Sequence, residues 1–258
     1  MILSTISKCF VFLLGLFFLG ILLNGLFKLS PTTIVELIND PAFLFSVGFT
    51  LKTSIIASLL ALLFGVPAGF FLARNKTSFS YILDLLFDIP IVLPPLIVGV
   101  LLLSFFNLPL VESVYSFIFT TSGAAIAQFF IAVPFTIKAS KTAFELISPI
   151  YERIAMTLGA RPIKSFFDTT FKMAFPGILS GFVLTWLRCV GEFGATLMVG
   201  GGIPGKTENI PVHVYLNIVS GDFEKGLGAG MIAICLAFFC IVLINLLVTR
   251  RIRQTSHF

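Results

Sequence analysis

Six long apolar stretches, in which charged residues are rare, decide what this chain can fold into. They cover approximately residues 9–27, 43–73, 81–106, 114–137, 177–199 and 227–248. A helix needs about 20 mostly apolar residues to cross a bilayer, and it satisfies its own backbone hydrogen bonds in lipid. The sequence therefore predicts an all-α integral membrane protein, with six transmembrane helices in a single domain that covers residues 1–258.

The composition argues against a soluble domain. Hydrophobic residues make up 57% of the chain and charged residues 11%, whereas a soluble domain has about 45–50% apolar and about 25% charged residues. All four cysteines lie in apolar runs, and neither they nor the two histidines have the spacing of a metal site. We therefore expect no metal, cofactor or disulfide; the residues concerned are Cys9, Cys189, Cys235, Cys240, His213 and His257.

The first apolar stretch resembles a signal peptide in one respect, because Lys8 precedes its apolar core. Its far end reads Asn24-Gly25-Leu26, which lacks the small-x-small pattern of a cleavage site. We therefore expect this stretch to remain as a membrane helix.

The basic residues are concentrated on one side of the predicted helices. That side carries Lys8, Arg74, Lys76, Lys138, Lys141, Arg153, Arg161, Lys164, Lys172, Arg250, Arg251 and Arg253. The loops of the opposite side carry Lys28, Lys206 and Lys225 with the acidic residues Glu36, Asp40, Glu112, Glu208, Asp222 and Glu224. Cytoplasmic loops of membrane proteins are enriched in Lys and Arg. Both termini are therefore predicted to be cytoplasmic, and the net charge of +5 needs no nucleic-acid partner.

Residues 200–207 match the pattern of a phosphate-binding loop, Gly-x-x-x-x-Gly-Lys-Thr. That pattern binds nucleotide only when it connects a β-strand to a helix whose N-terminus faces the phosphate. Here a predicted membrane helix precedes it, Pro211 follows soon after, and the predicted topology places it outside the cell. We expect a flexible external loop that does not bind nucleotide.

Arg188 and Glu192 lie in the middle of the fifth apolar stretch and are the only charged residues that we expect deep in the bilayer. Their i,i+4 spacing on a helix allows them to pair. Charges inside a membrane face a bundle interior or an aqueous path, so the pair either flanks a path for an anion or joins helices structurally. Lys52, near the outer end of the second stretch, either adds positive potential there or reaches towards the interface.

Three prolines, Pro90, Pro94 and Pro95, interrupt the third stretch. Each removes a backbone donor and distorts a helix. The result is either a bent helix that lines a path or a kinked helix that only packs.

A short amphipathic helix is predicted at residues 149–158, with Ser148 as N-cap, Pro149 at the first helical position and Gly159 closing the helix. One face is mostly apolar and consists of Ile150, Tyr151, Ile154, Ala155 and Leu158. The segment is too short to span a bilayer, so it either lies on the membrane or docks onto a partner.

Residues 152–160, Glu-Arg-Ile-Ala-Met-Thr-Leu-Gly-Ala, followed by Phe-Pro-Gly at 175–177, resemble the cytoplasmic "EAA" loop of ABC-importer membrane subunits. Residues 51–52 (Leu-Lys), 88–95 (Asp-Ile-Pro-Ile-Val-Leu-Pro-Pro) and 191–196 (Gly-Glu-Phe-Gly-Ala-Thr) resemble the molybdate-permease group. The chain differs from the usual loop at Arg153 and Ile154, where an acid and an alanine are common, and at Phe171 and Lys172, which replace a common Leu-Pro.

The resemblance implies a permease subunit that is not itself an enzyme. Two copies would form one translocation path, two separate ATPase subunits would bind the short helix from the cytoplasm, and a substrate-binding protein would dock outside. It makes Glu152, Arg153, Ala155, Leu158, Gly159 and Ala160 the candidates for coupling to the ATPase. The candidates for the path are Lys52, Arg188, Glu192 and Phe193.

The expected substrate is an oxyanion, molybdate or tungstate, and sulfate or thiosulfate is the alternative because their permeases are similar. An ion-coupled secondary transporter would show an internal repeat with broken, charged helices, and no repeat is visible. A membrane-embedded enzyme would need a cluster of polar residues within the spans.

Overall fold

The computed structural model describes residues 2–255, with side chains for residues 7–242, and this part of the chain contains helices and no strands. The helices are α1 (Ile2–Phe27), α2 (Pro31–Asn39), α3 (Pro41–Arg74), α4 (Ser78–Val92), α5 (Pro95–Phe106), α6 (Pro109–Glu112), α7 (Thr121–Glu145), α8 (Ile150–Thr157), α9 (Pro162–Phe166), a π-helix (Phe167–Phe171), α10 (Lys172–Val190), α11 (Gly194–Gly200), α12 (Ile210–Val219) and α13 (Phe223–Thr255). The prediction of an all-α chain is confirmed for these residues.

Five stretches of helix are long and apolar enough to cross a bilayer. They are Ser7–Phe27, Pro41–Arg74, Thr121–Glu145, Pro162–Val190 and Phe223–Val242. A sixth span is formed if α4 and α5 are counted together, although the chain bends by 112° between them. The structure therefore has five or six candidate membrane spans.

Helices α3, α7 and α10 form the centre of the bundle, and glycines bring them close together. A methyl group added at Gly65 of α3 would lie 2.9 Å from Cβ of Thr136 in α7, and one added at Gly181 of α10 would lie 2.3 Å from Cβ of Ala139. Small residues allow this approach, which gains van der Waals contact between helices in lipid. The contacts place α3 and α7 parallel to each other and α10 antiparallel to α7.

The third predicted span is not one continuous helix. The chain leaves the helical conformation at Leu93 and Pro94, and α5 then starts at Pro95. Proline has no N–H group and pushes the preceding residue out of the helical region, so Pro94-Pro95 ends α4 where Pro90 alone does not. The bend leaves an apolar cavity of about 810 Å³, which lies between the bent helix pair α4–α5 and the helices α3 and α7.

Two further boundaries differ from the predicted spans. The fourth helix begins at Thr121 rather than at residue 114, and it continues to Glu145. The fifth is interrupted, because α10 ends at Val190 and α11 begins at Gly194. Apolar composition locates membrane segments, but it does not show a break made by three residues within an apolar run.

The two ends of the bundle differ. The α8 end carries α8, α9 and the C-terminus of α3, and the loop end carries the glycine-rich loop between α11 and α12. Basic residues gather at the α8 end: Arg74, Lys76, Arg153, Arg161, Lys164 and Lys172. Lys28, Lys206 and Lys225 lie at the loop end.

Candidate functional site

The breaks in the third and fifth spans meet inside the bundle. A methyl group added at Gly194, the first residue of α11, would lie 2.8 Å from the backbone nitrogen of Leu96 in α5. One added at Gly99 of α5 would lie 2.7 Å from Cβ of Met198 in α11. The Leu-Pro-Pro and Gly-Glu-Phe-Gly-Ala-Thr segments are therefore neighbours, and glycine is required where their backbones touch.

Arg188 and Glu192 form an ion pair next to this contact. Nη1 of Arg188 donates to Oε2 of Glu192 at 2.5 Å. The Glu192 side chain is 1% exposed, whereas that of Arg188 is 28% exposed. Arg188 lies in the last turn of α10, where a cation suits the helix dipole. The other oxygen of Glu192, Oε1, accepts from the backbone N–H of Ala195 at 2.9 Å and so caps α11.

Glu192 also connects to the start of α12 through Asn209, and the next residue, Ile210, connects α12 to α3. Nδ2 of Asn209 donates to the backbone oxygen of Glu192 at 2.7 Å, and Oδ1 of Asn209 accepts from the N–H of Val212. The N–H of Ile210 donates to Oγ1 of Thr50 in α3 at 2.8 Å. The break is therefore held by hydrogen bonds to three helices, which fits a positioning role for Glu192 and leaves Arg188 as the charged group with an accessible surface.

The other two path candidates lie in different surroundings. Phe193 sits in the break and packs against Tyr215 of α12, with ring centroids 5.1 Å apart. Lys52 is exposed on α3, and among the described side chains no hydrogen bond or ion pair joins it to Arg188 or Glu192. Tyr215, which is 43% exposed, was not identified from the sequence.

A further group of charged residues, besides Arg188 and Glu192, lies within the candidate spans. Nζ of Lys138 lies 2.8 Å from Asp84 and 2.8 Å from Asp88, and Nζ of Lys141 lies 2.6 Å from Asp84. Lys138 is about 10 Å from the end of α7, since the helix continues seven residues beyond it. The sequence contained a signal for this group. Asp84 and Asp88 are spaced i,i+4 in one predicted span, and Lys138 and Lys141 are spaced i,i+3 at the end of the next, so each pair lies on one face of its helix.

A second missed pair lies at the loop end. Nδ1 of His213 and Oε1 of Glu208 are 2.9 Å apart, and both side chains are buried. The ring of His213 packs on Phe43 with centroids 5.5 Å apart. This ring contact joins the start of α12 to α3.

The glycine-rich loop is compact rather than open. Oγ1 of Thr207 donates to the backbone oxygen of Gly200 at 2.6 Å and accepts from the N–H of Ile203 at 3.1 Å. Gly201, Gly202 and Gly205 all have positive φ angles. The helix α11, not a β-strand, precedes the loop, so the surroundings differ from those of a phosphate-binding loop.

Helix α8 starts one residue later than predicted, with Pro149 in the N-cap position. Gly159 has φ +91°, and the N–H groups of Gly159 and Ala160 donate to the backbone oxygens of Met156 and Ala155, both at 3.0 Å. These two bonds form the glycine-closed helix end that the sequence predicted.

No residue of α8 is buried within the described chain, although the helix is rich in apolar side chains. Ile150, Ile154 and Leu158 are 54%, 51% and 84% exposed. Arg153 is exposed, and Ala155 and Ala160 are half-buried. An apolar stripe of this kind at the end of a bundle marks a surface that another molecule or the membrane covers.

The fold agrees with comparisons to known proteins. Residues 65–254 match the family described as binding-protein-dependent transport system inner membrane component. The molybdate/tungstate transport system permease protein WtpB of Thermococcus kodakarensis is 33% identical over 209 residues, which are 81% of each chain. The molybdenum transport system permease protein ModB of Escherichia coli is 32% identical over 227 residues, 85% of this chain and 97% of the relative.

Solved structures show the same fold at low sequence identity. A chain of a bacterial alginate ABC transporter, in complex with an alginate-bound periplasmic protein, aligns with TM-score 0.70 and 18% identity over 96% of this chain and 93% of its own. A chain of the inward-facing MetNI methionine ABC transporter aligns with TM-score 0.64 and 18% identity over 88% and 99%. The chain is a non-catalytic, multi-pass permease of the inner membrane that works with separate ATPase subunits and a binding protein. It belongs to the family of inner membrane components of binding-protein-dependent transport systems.

Proposed function

We propose that this chain is the permease subunit of an ABC importer for an oxyanion, molybdate or tungstate. The observation that supports the substrate is the similarity to molybdate and tungstate permeases, which extends over four fifths of the chain. It includes the segments 88–95 and 191–196, whose backbones touch at Gly194.

The partly exposed Arg188 is the residue that would act on the anion. An arginine at this depth cannot face lipid without a large cost, so its exposed surface faces water or a partner. On α10 it shares a face with the exposed residues Ser180 and Leu184. We infer that this face meets a second copy of the chain and that the path runs between the two copies as a homodimer.

Glu192 makes Arg188 suitable for passage rather than for tight binding. Its carboxylate accepts a hydrogen bond from one guanidinium nitrogen of Arg188 at 2.5 Å, and its negative charge stays close to the site. An anion at Arg188 would therefore be attracted weakly and released readily. This suits a conduit that receives its substrate from a binding protein with its own site.

The proposed orientation places both termini and the α8 end in the cytoplasm and the loop end outside. It is supported by the basic residues at the α8 end. In this orientation the exposed stripe of α8 faces separate ATPase subunits, which would receive Ile150, Ile154 and Leu158 in a groove. The substrate-binding protein would dock on the loop end.

Uptake measurements test the substrate. Cells in which the gene is deleted, and the same cells carrying it on a plasmid, are supplied with labelled molybdate. We expect uptake to depend on the gene and to be blocked by excess tungstate but not by excess sulfate. Loss of sulfate or thiosulfate uptake with normal molybdate uptake would show instead that the chain serves a sulfate-type importer.

A further inference from the structure

Glu152, at the start of α8, points into its own chain and not towards the exposed stripe of the helix. Its Oε1 accepts a hydrogen bond from Oγ1 of Thr170, a fully buried residue of the π-helix. The same oxygen is 3.8 Å from Nη2 of Arg74, in the last turn of α3. The Glu152 side chain is 23% exposed and that of Arg74 is 19% exposed.

The backbone around Glu152 is held at the same place. Oγ of Ser165, a buried residue of α9, donates to the backbone oxygen of Glu152 at 2.8 Å. Arg74 also donates from Nη1 to the backbone oxygen of Ile147, in the connection between α7 and α8, at 2.9 Å. Glu152 is therefore joined directly to the ends of two membrane spans, Pro41–Arg74 and Pro162–Val190, and Arg74 connects it to the chain that follows α7.

These contacts matter because α8 has little else to hold it. None of its residues is buried, so apolar packing within the chain contributes little to its orientation. A hydrogen bond to a charged group is stronger than one between neutral groups. The bonds to Glu152 are therefore a main determinant of how α8 is oriented on α3 and α10.

The π-helix places Thr170 for this contact. A π-helix inserts an extra residue into a turn and is uncommon, and it occurs often at functional sites. Here it lies between α9 and α10 and carries Thr170. Movement of α8 would consequently act directly on the irregular start of the span whose last turn carries Arg188.

We propose that Glu152 is a positioning residue that transmits movement of α8 to α3 and α10 through Arg74 and Thr170, and that it does not itself contact the ATPase. This inference rests on the proposed coupling of α8 to ATPase subunits. It assigns separate tasks to α8: the exposed Ile150, Ile154 and Leu158 dock, and Glu152 transmits.

The test uses the purified complex of this chain with its ATPase subunits, with the native cysteines replaced. A cysteine at Leu184, which is exposed on the same face of α10 as Arg188, is labelled with a thiol reagent with and without a non-hydrolysable ATP analogue. The readout needs no transported substrate. In the otherwise unaltered complex the analogue should change the labelling rate.

Glu152→Ala should retain the ATPase during purification and reduce the response to the analogue about tenfold, as expected for losing a hydrogen bond to a charged group. Glu152→Gln can still accept a hydrogen bond from Thr170, so its response to the analogue should fall less. This variant keeps the test valid if the alanine variant misfolds. Glu145→Ala is the matched control, because Glu145 pairs with Lys76 at the same end of the bundle, and no hydrogen bond or ion pair joins it to α8 among the described side chains. Its response should be normal.

A normal response in Glu152→Ala would overturn the proposal. Loss of the ATPase from Glu152→Ala, with retention in Glu145→Ala, would also overturn it, because Glu152 would then belong to the docking surface. If the unaltered complex does not respond to the analogue, the proposed coupling is wrong and this inference is wrong with it. A chain that responds normally but fails to import molybdate or tungstate would refute only the proposed substrate.

Discussion

Arg188 and Glu192 bridge a helix break, with Nη1 of Arg188 in the last turn of α10 and Oε2 of Glu192 in the three residues before α11, 2.5 Å apart. Each charge lies at the helix end whose dipole favours it, a cation at the C-terminus of α10 and an anion at the N-terminus of α11. Contacts within the chain thus stabilise the break, while the guanidinium retains some exposed surface.

Replacing Arg188 should separate its two tasks. In Arg188→Ala the buried Glu192 loses its partner, which costs roughly 3–5 kcal/mol, so both the amount of protein in the membrane and uptake should fall. In Arg188→Ala/Glu192→Gln no charge is unpaired, and the glutamine can still accept from Ala195. We expect this double variant to accumulate normally but not to transport. Recovery of transport in the double variant would mean that Arg188 only supports Glu192.

The contact between the two breaks should not tolerate a methyl group. Gly194→Ala forces Cβ against the backbone of Leu96, and overpacking of this kind costs about 1–3 kcal/mol. We expect a lower melting temperature of the purified complex and reduced uptake. Gly48→Ala on α3 is the control, since nothing lies within 4 Å of the added methyl group. Equal behaviour of the two variants would show that the breaks separate freely.

The end of α8 should depend on its glycine. Gly159→Val places a branched residue at φ +91°, where an L-residue costs about 1–2 kcal/mol. The helix end and the exposed stripe should shift, giving a stable membrane protein with weaker copurification of the ATPase and reduced uptake. Ala155→Glu should act similarly by adding a charge beside the stripe. Gly159→Asn, which tolerates this conformation better, is the control; normal coupling in Gly159→Val would favour a lipid-surface role for α8.

The orientation can be measured by labelling in intact cells. Single cysteines replace Lys164 at the α8 end and Lys206 at the loop end, both exposed, in a chain without its four native cysteines. An impermeant thiol reagent should label position 206 only, because the basic α8 end is expected in the cytoplasm. Labelling at 164 and not at 206 would reverse the proposed topology.

The sequence by itself was sufficient for the class of protein, the approximate membrane segments and the closure of α8. Each of these depends on neighbouring residues along the chain: about 20 apolar residues for a span, or a glycine after an amphipathic turn. The pairing of Arg188 with Glu192 was also accessible, because residues at i,i+4 stay close even where the helix ends between them.

Only the tertiary structure showed which distant residues meet. Pro94-Pro95 ends α4 locally, but the 112° angle of the bend and its contact with the break at 191–193 through Gly194 involve packing between α5 and α11. Lys138 was assigned to a loop because the predicted span stopped at Ile137, whereas α7 continues to Glu145 and pairs Lys138 with Asp84 and Asp88. Hydropathy is an average over neighbouring residues of the chain. In a membrane protein it indicates how long an apolar segment is, but not which face of the helix another helix covers. That choice is made by small residues, hydrogen bonds and ion pairs between helices, whose partners are far apart in sequence.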